Sequence, residues 1–183
     1  MSNDVAAPVI ERRLPATVDT QRLGRSLAHA CRTHAMRIRE HGLHVNVTGE
    51  LGVGKTALVR AWLRAFGIVG PVKSPTFAVL EPYEVSLPNP AAGRSGLEAH
   101  ANSSLDFYHF DFYRLKNQEE WEQAGFREYF NGEALCAVEW PERAHGLLAP
   151  PDLDIELRFD GEHRHARLNA HGGAGEAWLS PLR

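Results

Sequence analysis

A glycine-rich turn ending in a lysine and a hydroxyl carries the most chemistry in this sequence. The run VNVTGELGVGKTALVR, residues 45–60, places Gly49, Gly54, Lys55 and Thr56 at the GxxxxGK[ST] spacing. The glycines let the backbone fold tightly, so that successive amide N–H groups point inward at phosphate oxygens. Lys55 sets a point charge beside the outer phosphates, and the Thr56 hydroxyl is a ligand for magnesium. The helix that follows adds the positive end of its dipole. The chemistry is nucleoside triphosphate binding, and the flanking sequence agrees. Leu43, Val45 and Val47 read as a short strand entering the turn. Ala57, Leu58, Ala61, Trp62, Ala65 and Phe66 read as the buried stripe of the helix leaving it, with Gly67 where a C-terminal cap is expected.

Hydrolysis or transfer also needs a carboxylate for the metal and a group that orients the attacking nucleophile. Two strand ends offer one. Leu135, Cys136, Ala137 and Val138 run directly into Glu139, the better physical match, and the alternating strand in LDFYHFDFYRL ends at Asp111. Thr56, Asp111 and Glu139 together supply the hard oxygen ligands that magnesium prefers, with waters and phosphates completing the octahedron. The SPTF run, residues 74–77, reads first as a turn leading to a strand, but it also presents hydroxyls able to sense a terminal phosphate. His163 and His165 share a strand face without cysteine or carboxylate partners at ligand spacing, and read as exposed hairpin residues.

These residues need elements to position them. At 183 residues the chain fits one domain with a sizeable core. The net charge of −3 argues against broad nucleic-acid binding, which needs a concentrated basic surface. Arg22, Arg25, Arg32 and Arg39 fall in one arc of a helical wheel around His29, a pattern read as a solvated face. The two cysteines, Cys31 and Cys136, make no disulfide framework and read as small core residues. With no apolar leader and no segment able to span a membrane, the expected location is cytoplasmic. Residues 1–10 read as loose and 11–183 as the domain. Thr17 or Asp19 should cap a helix that turns Leu23, Leu27, Ala30 and Cys31 inward. Residues 86–104, rich in proline, glycine and serine, read as a mobile insertion. NQEEWEQAGFREYF reads as a helix plus turn, and DIELRFDGEHRHARLNA as two strands joined at Asp160-Gly161. The expected fold is α/β: a single P-loop NTPase domain with a mixed central sheet flanked by helices and a C-terminal β-hairpin.

Taken in order, GELGVGKT, SPTF, HFDFYRL and VEWPER resemble the TsaE (YjeE) family, bacterial P-loop ATPases needed for threonylcarbamoyl modification of adenosine in certain tRNAs. The resemblance covers roughly residues 17–168 apart from the insertion, and SPTF and EWPER are not general P-loop features. It implies an accessory ATPase, required for threonylcarbamoyladenosine (t6A) at adenosine 37, that binds and hydrolyses Mg-ATP with TsaB and TsaD and meets tRNA only through that complex. It also implies that Glu50, Leu51, Gly52, Val53, Gly54, Lys55, Thr56 and Ala57 surround the phosphates, with Mg2+ on Thr56 and Glu139. Asp111 would join Lys55 in catalysis, near the metal and the hydrolytic water. Thr76 would belong to a nucleotide-responsive switch, Trp140 would sit beside the site, and Thr20 and Arg164 would flank adenine. Three features depart from the pattern: Asn46 in a usually apolar strand, Ala57 where a second threonine is frequent, and the long insertion. The alternative is a small-molecule P-loop kinase, but its arginine-bearing lid would have to be residues 86–104, which hold only Arg94. A GTP switch would need an [NT]KxD run, and the sequence has none.

Overall fold

Alternating and fully apolar runs become the strands of one seven-stranded sheet: β1 (Val9–Leu14), β2 (Leu43–Thr48), β3 (Leu80–Pro88), β4 (Asn102–Asp111), β5 (Ala134–Glu139), β6 (Leu153–Asp160) and β7 (His163–Ala170). The computed structural model describes residues 9–75, 79–89, 102–130, 132–144 and 146–182. The helices are α1 (Thr17–Thr33), α2 (Ala35–His41), α3 (Lys55–Ala65), α4 (Gln118–Gln123) and α5 (Gly172–Leu179). The sheet order is β1-β7-β6-β2-β5-β4-β3. Its centre, β6-β2-β5-β4, is parallel, and β3, β7 and β1 pair antiparallel at the flanks. This is the expected mixed sheet with a β6–β7 hairpin, although that hairpin is part of the main sheet and β1 covers its outer edge.

Burial on both faces explains why all six residues of β5 are apolar except the last, and all are buried. Val45, Val47, Leu135, Ala137 and Ile155 face the larger core, shared with α1 and α3. Phe110, Cys136 and Val138 face a second core with Phe112, Trp121 and Phe126. Rings there meet edge-on or stacked, as Phe110 does with Phe126 at 5.7 Å and with Phe130 at 5.0 Å between centroids. Burial pushes the Cys136 thiol up to about 12, so it behaves as a small core side chain. No helix among the described residues is long and apolar enough to cross a membrane.

Four boundaries differ from expectation. Residues 9 and 10 are not loose: Ile10 is buried and pairs with Leu168, so the sheet begins at Val9. The supposed insertion is narrower than 86–104, because Ser86, Leu87 and Pro88 pair with Ser104, Ser103 and Asn102. Leu87 is fully buried there, and Arg39 caps the strand ends by donating to the carbonyls of Leu87, Pro88, Ser103 and Ser104 at 2.7–3.4 Å. Residues 90–101 lie outside the described segments. The arginine arc is also broken. Helix α1 ends at Thr33 and α2 restarts at Ala35, which carries Arg39 to the ends of β3 and β4 while Arg32 donates to the Ala65 carbonyl. Finally, α5 was not foreseen. Its glycine-rich sequence hides a helix whose Trp178 and Leu179 close the larger core.

At the α1 start, Asp19 accepts the Ala16 amide N–H at 3.0 Å, as an N-terminal carboxylate should. Further along, Gly24 lets α1 approach α3 closely. A Cβ at Gly24 would lie 2.6 Å from the Ala61 carbonyl carbon and 2.7 Å from the Trp62 nitrogen. Two effects compete in Gly24→Ala. Helix propensity favours alanine by about 1 kcal/mol, while overpacking against backbone that cannot step aside costs about 1–3 kcal/mol. The clash should win: we expect a lower urea midpoint for Gly24→Ala, and a raised midpoint would show that the two helices separate at little cost.

Candidate functional site

The glycine-rich turn forms between the end of β2 and the start of α3. Gly49 has φ 133, and a Cβ on it would lie 2.2 Å from the Leu157 carbonyl oxygen, so this position takes only glycine. Lys55 opens α3 with its side chain folded back under the turn. Its Nζ donates to the Gly49 carbonyl at 2.7 Å and the Glu50 carbonyl at 2.9 Å, and lies 3.8 Å from the centroid of the Trp140 ring. Only 4% of Lys55 is exposed. Burial lowers its pKa below the ordinary lysine value, and Glu139, Asp111 and Glu142 pull it partly back. Trp140 adopts φ 58, a left-handed conformation that costs energy in a non-glycine residue.

Register brings the two candidate carboxylates together. Asp111 and Glu139 are partners across β4 and β5, and Val47 lies opposite Glu139 on β2. Glu139 is 2% exposed. Its Oε2 accepts the Thr56 hydroxyl at 3.0 Å, and its Oε1 lies 2.8 Å from Nε2 of His109, which is itself wholly buried. Asp111 is bound differently: Oδ1 accepts the Tyr113 amide at 3.0 Å, and Oδ2 accepts the Ser74 hydroxyl. The Asp111 carboxylate thus fastens the start of the SPTF turn to the end of β4.

The oxygen pair on Thr56 and Glu139 fits magnesium. Two neighbouring ligands of an octahedral ion with bonds of about 2.1 Å sit about 3 Å apart, and the observed separation is 3.0 Å. Among the described residues no cluster of three or more His, Cys, Asp or Glu could hold a metal. Such an ion therefore depends on phosphate oxygens and water for its remaining ligands.

Beside the turn lies a cleft of about 680 Å³ bounded by Thr20, Gly52, Val53, Gly54, Ala57 and Arg164, among others. Arg164 is fixed at its wall, with Nε donating to the Val53 carbonyl at 3.1 Å and the guanidinium 4.2 Å over the Phe159 ring. The structure thus gathers Lys55, Thr56, Asp111, Glu139 and Trp140 at one end, and Thr20, Ala57 and Arg164 along the adjoining cleft. Glu50 contributes its carbonyl to Lys55. Leu51 is 68% exposed, so any part it plays comes from its main chain. Thr76 lies outside the described residues. His109 and Tyr113 were not singled out from sequence, and Ser74 only as one of the hydroxyls of the SPTF run. The signal for His109 was present, because strand alternation in HFDF puts it on the same face as Asp111.

Comparison with known proteins follows the same lines. The family described as threonylcarbamoyl adenosine biosynthesis protein TsaE matches residues 14–168. The tRNA threonylcarbamoyladenosine biosynthesis protein TsaE of Haemophilus influenzae is 35% identical over 77% of this chain and 78% of its own length. The Bacillus subtilis protein of the same name is 30% identical over 75% of this chain and 76% of its own. The crystal structure of Bacillus subtilis YdiB superposes with a TM-score of 0.68 at 22% identity, covering 96% of this chain and 95% of that one, which shows a shared fold.

The state of Lys55 has a measurable consequence. A lysine whose pKa is lowered by burial loses its proton at a lower pH than a free one, and the neutral amine attracts phosphate poorly. Nucleotide affinity should therefore start to fall below pH 10.5, the ordinary lysine value. Titration calorimetry across alkaline pH checks this, and an affinity flat to that point would mean that Lys55 is not desolvated.

Proposed function

The chain belongs to the TsaE family, and from that premise we propose that it serves threonylcarbamoyladenosine formation in tRNA as an accessory ATPase, binding and hydrolysing Mg-ATP together with TsaB and TsaD. The observation that carries this reading is the pair Lys55 and Thr56 at the start of α3, the one folded under the glycine turn and the other bonded to Glu139, next to a nucleotide-sized cleft bounded by the same turn.

The nucleoside would lie in the cleft between α1 and the β6–β7 hairpin, against Thr20 and Arg164, with its phosphates in the turn of residues 49–56. Lys55 would exchange its contacts with the Gly49 and Glu50 carbonyls for phosphate oxygens. Thr56 and Glu139 would hold magnesium, which neutralises charge on the outer phosphates during transfer to water. Asp111 pairs with Glu139 across β4 and β5. It would orient the attacking water, and its bond to Ser74 would couple the SPTF turn to the arrival of the terminal phosphate. The electrostatic work falls to groups fixed before substrate enters, which is where such catalysis gains most. In this reading tRNA is met only through the complex.

Three outcomes are expected. ATP turnover should be slow alone and rise on adding TsaB and TsaD. Lys55→Ala should lower that turnover by roughly two to three orders of magnitude with the fold intact, because it removes a cation facing developing charge. Adenine nucleotides should bind several-fold more tightly than guanine nucleotides. Turnover stimulated by small-molecule acceptors rather than by the protein partners would favour a kinase, and tighter GTP binding would overturn the adenine assignment.

A further inference from the structure

His109 is wholly buried, yet neither the phosphates nor the cleft requires it. It shares a strand face with Asp111 and sits opposite Ala137, whose small side chain leaves room for the imidazole to lean toward Glu139 two residues on. Nε2 lies 2.8 Å from Glu139 Oε1, and Nδ1 is buried without a partner among the described residues. An ionised carboxylate only accepts, so Nε2 must carry the proton. The arrangement is therefore an imidazole donating one fixed hydrogen bond from Nε2.

We propose that His109 is a positioning residue that locks the Glu139 carboxylate, holding Oε1 so that Oε2, beside Thr56, is the oxygen presented to magnesium. The proposal rests on the reading of Thr56 and Glu139 as the metal-holding pair. Without the imidazole the carboxylate is free to rotate about its last bond and to turn either oxygen toward Thr56. The ion would then have to fix that rotation at the expense of its own affinity. Outer partners of metal ligands act in this way, and losing one costs about 10–100-fold in metal affinity or activity.

The test is calorimetric titration of the full chain with ADP, in magnesium chloride and in chelator, alongside thermal melts. His109→Leu should weaken the magnesium-dependent part of ADP binding about 10–100-fold while leaving metal-free ADP binding unchanged. His109→Gln places an amide N–H near the position of Nε2 and should restore most of the loss. A purely structural role would instead weaken both kinds of binding together and lower the melting temperature. The proposal is overturned if His109→Leu spares the magnesium dependence, or if the folded glutamine variant fails to restore it. Glu139→Gln separates the two layers. If it abolishes magnesium dependence while His109→Leu does not, only the positioning role falls; if it too has no effect, the metal assignment itself fails. Should His109→Leu not fold, the wild-type imidazole 15N shifts decide, since a ring whose proton lies on Nδ1 and not on Nε2 would contradict the proposal.

Discussion

A carboxylate held almost out of water sets the terms for this structure. Glu139 is 2% exposed at the end of a central apolar strand. An ion so placed carries a desolvation penalty of several kcal/mol unless hydrogen bonds and charge offset it. Its partners come from two segments: the Thr56 hydroxyl and the nearby Lys55 charge from the first turn of α3, and the His109 imidazole from β4. That requirement constrains register. A slip of one residue in β5 would turn Glu139 toward the aromatic cluster that Cys136 and Val138 now face. The parallel centre of the sheet is therefore specified by polarity at its carboxyl ends as well as by the apolar residues along it.

The phosphate end and the cleft are coupled through packing. Gly24 brings α1 onto α3 at backbone contact, which sets the distance from Thr20 to Ala57 across the cleft. Beneath that contact Trp62 meets Phe107 edge-on at 5.1 Å and Trp178 at 6.3 Å. The C-terminal helix α5 is thus tied to the same helix that starts at Lys55. Cys31 is enclosed by these indoles, and burial pushes its thiol pKa well up, so it contributes volume rather than reactivity.

What the sequence disclosed followed from signals confined to one element. The turn of residues 49–56, the strand before it and the helix after it have strict spacing, and β5 is a short apolar run ending in a charge. Both stood out without tertiary information. The features that escaped depend on contacts between distant segments. Leu87 and Pro88 look like loop until Arg39 caps their carbonyls. The break at His34 leaves no mark on a helical wheel. The glycines of residues 172–175 argue against a helix that exists because Trp178 and Leu179 have a core to fill. His109 was missed for a related reason: it matters through Glu139, and that pairing appears only once strands β4 and β5 are in register, while Ser74, read only as a hydroxyl of the SPTF run, gains its role from Asp111. Asn46, odd in a buried strand, is explained by its amide donating to Asp154 at 3.0 Å across β2 and β6.

Lys55 shows how such a site can be held ready without phosphate. An ammonium has three donors, and two already meet carbonyls of the turn it will serve, while the face of Trp140 covers it from another side. The lysine's rotamer is thereby fixed by contacts within the protein. A phosphate taken up by Lys55 would have to displace these carbonyls, so its net affinity would be smaller than the phosphate contacts alone suggest. Because Trp140 directly follows Glu139 and sits in a strained backbone conformation, the ring that covers the lysine and the carboxylate beside Thr56 are anchored to the same peptide. A shift of that peptide would move the lysine's cover and the Glu139 carboxylate together.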